Sequence, residues 1–373
     1  MANYEELKNC KTTAELINKL TGEKGKRVTI VGIRFISTAG VPLEIYQQAK
    51  SLKEQGYDVT ILILRGGDME PPRGVRLEYL GKLSKDWFLE RIYGIVYPLN
   101  PIKLIKGLTK LRNCDVVICH VYPATIFGFL AKMFFGAKYI AWHYHVPETA
   151  HMSGLLRKIY AKLTEYLNEK SFIIKYADCI CSISESSKEV LKRKTGLDSI
   201  VISIGTENER FSGIKIAPED IEEVRKKYSI KDNHFVMLFV GRISPTKNIH
   251  SLIKVFRILR ESVPNTQLII VGAPTNKDYF NQLQKESDEN VIFTGAVSDK
   301  ELACFYSICD VFATCSLLEG RTLPPLEARR FGKVAIGFDV PGVRDVVEKE
   351  YLVPKGDYRA FADKIKEVLL SLT

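Results

Sequence analysis

Apolar residues along the chain fall into short continuous runs, separated by stretches in which they recur every three or four positions. RVTIVGI (27–33), DVTILIL (58–64), VRLEYL (75–80), DVVIC (115–119), KYIAWHYH (138–145), DCICSI (178–183) and SIVISIG (199–205) have strand length. Helix-period segments lie between them: 40–55, a segment near 123–135, a long stretch at about 152–176, and one from about Glu185. Residues 1–25 read as a polar, helical lead-in. Continuous apolar strands alternating with helices predict parallel strands covered on both faces.

The pattern then restarts. HFVMLFVG (234–241) leads into KNIHSLIKVFRILRES (247–262), which places Ile249, Leu252, Ile253, Phe256 and Leu259 on one helix face. TQLIIVG (266–272), NVIFTG (290–295), DVFATCS (310–316) and KVAIG (333–337) are further strands, and a last helix starts near Tyr358. A polar stretch at 205–233 separates the halves. The expectation is α/β: two Rossmann-like domains, residues 1–207 and 208–373, with parallel sheets facing an interdomain cleft.

Length and composition agree with this and narrow the setting. A chain of 373 residues suits two domains, and 46% apolar with 26% charged residues excludes wholesale disorder. None of the eight cysteines forms a C-x-x-C, and five lie in strand-like runs, where they read as small core residues of a reducing compartment. MANYEELKNC lacks the order of a signal peptide. The most apolar stretch, 114–131, carries Asp115, His120 and Pro123, so it reads as strand, turn and helix rather than a membrane span. The expected location is cytoplasmic.

Net charge is +10. Segment 80–113 holds seven basic and two acidic residues, with Trp87, Phe88, Tyr93 and Tyr97 interleaved among Lys103, Lys106, Lys110 and Arg112. Two readings stay open. One is an amphipathic surface seated on anionic lipid at the inner face of the membrane. The other is an ordinary helix with a solvated basic face. No nucleic-acid motif accompanies the charge. VGIRFISTAG (31–40) lacks G-x-G-x-x-G, which argues against a nicotinamide enzyme.

SLLEGRTLPPLEARRFG (316–332) carries the most chemistry. Seven residues separate Glu319 from Glu327. A strand ends before the first, and the prolines at 324 and 325 suit the first turn of a helix. Such an N-terminus offers backbone N–H groups to phosphate. This segment resembles the E-x7-E motif of the family-4 retaining glycosyltransferases, which adopt the GT-B fold and use nucleotide-sugar donors. GRISPTKN (241–248) resembles the family's G-R-x4-K-G, and VISIGTENERF (201–211) its hinge V-I-P-N-G-V-D-x-x-R-F. CSISESSKEVL (181–191), VIFTGAVSDKEL (291–302) and YSICDVFATCS (306–316) match in order.

The resemblance implies a retaining transferase that moves a hexose of mannose or glucose type. Donor would be a GDP- or UDP-sugar, and acceptor a carbohydrate or lipid-linked glycan. It implies no metal and no cofactor, and the chain lacks the Asp-x-Asp of metal-dependent transferases. Arg242, Lys247 and the backbone at Thr322 and Leu323 would bind the diphosphate. Glu327 would take the ribose hydroxyls and Glu319 those of the sugar. Gly272, Ala296 and Val297 would line the nucleobase pocket. His145 is the preferred histidine beside the reacting sugar and His143 the runner-up, whereas His120 reads as structural. Departures from the family pattern are Gly40 as the sole remnant of a glycine-rich loop, Arg321 and Thr322 between the glutamates, Ile204 at the hinge, and Asp345 for the last Glu. These leave open a non-catalytic nucleotide-sugar-binding subunit, or a GT-B epimerase or hydrolase.

Overall fold

A computed structural model describes residues 4–22, 25–36, 40–82, 100–144, 162, 166, 173–202 and 210–372. The chain divides into two compact units, 1–206 and 207–373.

The first unit is built on seven strands: β1 Arg27–Phe35, β2 Asp58–Gly67, β3 Arg76–Tyr79, β4 Val116–His120, β5 Lys138–His143, β6 Cys179–Ser182 and β7 Ile200–Val201. Their order is β3-β2-β1-β4-β5-β6-β7, all parallel. Alternation along β1 sends Val28 and Ile30 into one core and Val31 into another, so the sheet is covered on both faces. Helix Gly40–Glu54 covers the first face, joined by Thr13–Thr21 from the amino-terminal lead-in, whose Leu16 and Ile17 are fully buried. Helices Pro101–Leu111 and Ala124–Phe135 cover the second face. Most of the expected long helix at 152–176 and much of segment 80–113 lie outside the described residues; Ile174–Tyr176 is a 3₁₀ turn.

The second unit carries β8 Phe235–Val240, β9 Thr266–Val271, β10 Val291–Gly295, β11 Val311–Thr314, β12 Val334–Phe338 and β13 Leu352–Val353. The order is β10-β9-β8-β11-β12-β13, again parallel. Helix Ile249–Arg260 buries the five predicted apolar residues and packs beside the last helix, Tyr358–Leu370.

Several elements were not expected, among them helices Lys277–Lys285 and Asp299–Ile308. The polar stretch 205–233 contains helix Pro218–Lys227, whose only fully buried side chain is Val224. Its start is capped, Ala217 N donating to Asp220 Oδ2 at 2.9 Å, and Lys300–Asp220 and Lys227–Glu301 tie it to helix Asp299–Ile308. Ile221, Val224 and Tyr228 pack its inner face on the core, a narrow apolar stripe that a mostly charged segment makes hard to see. β13 has two residues, too short for any pattern.

A buried polar chain crosses the first core. Gln48 Nε2 donates to Thr13 Oγ1 (3.1 Å), and His120 Nε2 donates to Gln48 Oε1 (2.9 Å). His120 Nδ1 then accepts from the Tyr144 hydroxyl (2.7 Å), and its ring stacks on Trp142. His120 is therefore structural and neutral, with burial pushing its pKa down to about 3. An unfolded histidine titrates near 6.5, so below that pH the unfolded chain binds a proton the folded one refuses. Stability is complete above about pH 6.5 and falls toward pH 3, by at most about 1.4 kcal/mol per pH unit from this group. His120→Asn is expected to be weaker at pH 7 yet flatter between pH 6.5 and 4 in urea midpoints. Parallel profiles for the two proteins would refute this origin.

Candidate functional site

The second sheet reverses direction between β8 and β11, because β9 and β10 extend one way and β12 and β13 the other. Ligands of open parallel sheets bind at such a switch point, outside the carboxyl ends of the strands. The two loops that meet there are those following β8 and β11, which carry GRISPTKN and CSLLEGRT.

Local chemistry fixes both loops. Pro245–Lys247 makes one 3₁₀ turn, and Asn248 follows in the left-handed region at φ 55°, a conformation asparagine tolerates. Buried Asn248 donates through Nδ2 to Cys315 O (3.0 Å) and accepts from Ser251 Oγ (2.9 Å). Leu317 N donates to Thr246 O (3.1 Å). Two loops distant in sequence are thereby stitched together, and the Lys247 ammonium forms an ion pair with the Glu319 carboxylate. The two side chains are 18% and 12% exposed. Arg242 is exposed at the mouth of the same loop and enters no ion pair among the described residues.

Close backbone approaches shape the rest. A Cβ on Gly272, at φ 143°, would lie 2.0 Å from Gly241 O. Only glycine lets the loops after β8 and β9 touch there. Glu319 N donates to Pro341 O (3.1 Å), and Gly342, at φ 80°, lies directly under the Glu319 backbone. Ala296 is exposed after β10, while Val297 packs partly on the core. Buried Thr322 and half-buried Leu323 lead into helix Pro324–Arg330.

Glu327 sits one turn inside that helix and is 1% exposed. Its Oε1 accepts from Arg210 Nη1 (3.1 Å) and its Oε2 from the Tyr306 hydroxyl (2.6 Å). Arg210 also donates twice to Asp299 Oδ1, from Nε (3.0 Å) and Nη2 (2.8 Å). Burial works against the guanidinium charge, but Glu327 and Asp299 outweigh it and raise its pKa above the ordinary value. Burial, with Glu327 beside it, also pushes the Tyr306 hydroxyl well up. Phe211 meets Tyr306 and Phe331 edge-on, and those two rings stack, closing an aromatic box around the carboxylate. The expected ribose ligand is thus a covered acid whose two oxygens already have partners. Arg210 and Tyr306 were not singled out from the sequence, although the R-F of ENERF is part of the matched hinge segment.

In the first unit His143 is buried at the end of β5. It is 2% exposed, and its place beside a reacting sugar stays a candidacy. His145 lies outside the described residues, as does the hinge residue Ile204. Gly40 opens helix Gly40–Glu54 and is exposed, and a Cβ there would meet open space. Among the described residues no close approach demands glycine at that position. Among the described residues no group of three or more His, Cys, Asp or Glu is placed to hold a metal, and no helix is long and apolar enough to cross a membrane.

Comparison with known proteins adds the family. Residues 220–371 match the model for glycosyl transferases group 1, and residues 39–210 that for glycosyltransferase family 4. The putative glycosyltransferase EpsD of Bacillus subtilis is 26% identical over 277 residues, 71% of this chain and 70% of EpsD. Alpha-monoglucosyldiacylglycerol synthase of Streptococcus pneumoniae is 27% identical over 55% of this chain and 47% of its own length. Among solved structures, Anabaena HepE in complex with UDP-glucose superposes with a TM-score of 0.68 at 18% identity, over 93% of this chain and 90% of that one.

Proposed function

The chain belongs to the group 1, family 4 glycosyltransferases of GT-B fold, and on that premise we propose that it is a retaining, metal-independent hexosyltransferase using a nucleotide-sugar donor. The observation that carries this is the meeting of Lys247 and Glu319 at the switch point of the second sheet. A cation and an acid at one strand-end crevice suit a ligand that is anionic at one end and hydroxylated at the other. Lys247 and Arg242 take the diphosphate as point charge and fork. They stabilise the charge that builds on the leaving phosphate as the glycosidic bond breaks. Glu319 accepts from sugar hydroxyls. A ribose role for Glu327 requires the cover over its carboxylate to open, since each oxygen keeps a second lone pair beside its bond to Arg210 or Tyr306.

UDP- and GDP-sugars are the donors to test first. In a thermal-shift series with UDP-, GDP- and ADP-sugars, one class is expected to raise Tm, because a ligand that binds only the folded state adds RT ln(1 + [L]/Kd). A shift without any transfer would make a binding subunit or another GT-B chemistry the better reading, and no shift with any of them would overturn the donor reading itself.

A lipid-linked acceptor at an anionic membrane face is favoured by helix Pro101–Leu111. It leaves Ile102 and Ile105 exposed beside Lys103 and Lys106. Apolar side chains rimmed by lysines suit an interfacial helix. The protein is expected to sediment with phosphatidylserine vesicles at low salt, and Ile102→Asp/Ile105→Asp to stay in the supernatant. Equal sedimentation of both would remove this face from consideration.

A further inference from the structure

We propose that Glu319 competes with the donor's own diphosphate for Lys247, and that this competition makes the site prefer a loaded nucleotide-sugar to the spent nucleoside diphosphate. The proposal rests on the donor-site reading above and gives the Lys247–Glu319 pair a role in it.

The pair occupies the place where the two functions must part. Lys247 and Glu319 are both mostly covered, so neither charge is well hydrated when left alone. The loops that carry them are stitched by Asn248 Nδ2 to Cys315 O and by Leu317 N to Thr246 O. Backbone separation is therefore resisted, and the pair opens by side-chain rotation with exchange of partners.

Two ligands then differ sharply. A nucleoside diphosphate supplies an anion to Lys247 but nothing to Glu319. It leaves a displaced, poorly hydrated carboxylate beside new negative charge. A nucleotide-sugar supplies the same anion together with hydroxyls, which donate to the freed carboxylate. Only the second ligand satisfies both released groups. After transfer the hydroxyls leave with the acceptor, Glu319 returns to Lys247, and the nucleotide loses its cation. The same exchange thus favours donor entry and product exit.

Glu319→Gln tests this, because glutamine keeps the shape and removes the competing charge. Calorimetry with UDP, GDP, UDP-glucose and GDP-mannose is the assay, on wild type and variant. Wild type is expected to bind the nucleotide-sugar at least about tenfold tighter than the matching diphosphate. The variant is expected to bind the diphosphate about tenfold tighter than wild type does, to lose the preference for the sugar form, and to turn over slowly. In a Lys247→Met background the same Glu319→Gln change should leave diphosphate affinity unmoved. Equal wild-type affinities for diphosphate and nucleotide-sugar would overturn the proposal without any variant. So would a folded Glu319→Gln protein with unchanged or weaker diphosphate binding. Failure of the donor reading looks different, since wild type would then bind none of the four ligands.

Discussion

Arg210→Met should lower the unfolding free energy of the carboxyl-terminal unit by about 3 kcal/mol, the low end for breaking a buried ion pair. The reason lies in what is left behind. Glu327 is 1% exposed, and Arg210 is the described cation paired with it. Tyr306 donates one neutral hydrogen bond, which does not balance a charge. The Arg210 side chain is itself 35% exposed, so water screens part of the interaction, hence the low end of the range. The orphaned carboxylate must then be buried charged or take up a proton, and either costs stability. The companion variant separates this from lost packing. Glu327→Gln removes the charge yet keeps an oxygen for Tyr306 to donate to. Arg210→Met/Glu327→Gln should therefore recover most of the loss in urea unfolding, with a coupling on the order of 1–3 kcal/mol. A double variant as unstable as Arg210→Met alone would show that the guanidinium matters for packing on Phe211 rather than for charge.

The sequence pattern carried much of the strand framework, because both sheets are parallel and their strands are continuously apolar. β1, β2, β8 and β9 begin within a residue of their predicted starts. Lys247 and Glu319 were legible as candidates through spacing and resemblance. That they would pair was not, because contact between residues 72 apart depends on the strand order and on the hydrogen bonds between their loops. Arg210 and Glu327, 117 residues apart, were hidden because their contact too is made only in the folded chain. Helix Pro218–Lys227 shows a different limit, since Ile221, Val224 and Tyr228 make too narrow an apolar stripe to stand out among so many charges.

Gly342→Ala should reduce turnover by about 10²-fold while the rest of the second unit keeps its fold, the loss coming from displacement of Glu319. A Cβ at position 342 would stand 2.2 Å from Glu319 O and 2.7 Å from Glu319 Cβ. The first neighbour is backbone, so no rotamer change relieves the clash. At φ 80° the alanine is also strained in itself, at roughly 1–2 kcal/mol. The segment around Glu319 has to move. It is tied to the chain beneath it by Glu319 N donating to Pro341 O, and that bond is the first to lengthen. A shift near 1 Å takes the carboxylate out of reach of a sugar hydroxyl. Donor affinity should suffer less than turnover, because Arg242 sits on the other loop. Steady-state kinetics with the donor identified by thermal shift would show kcat falling more than KM rises. Gly332 is the control: it has φ 72° but open space around its Cβ position. Gly332→Ala should carry only the backbone strain and leave kcat within about twofold. Equal losses in the two variants would trace the Gly342 effect to stability and detach it from Glu319.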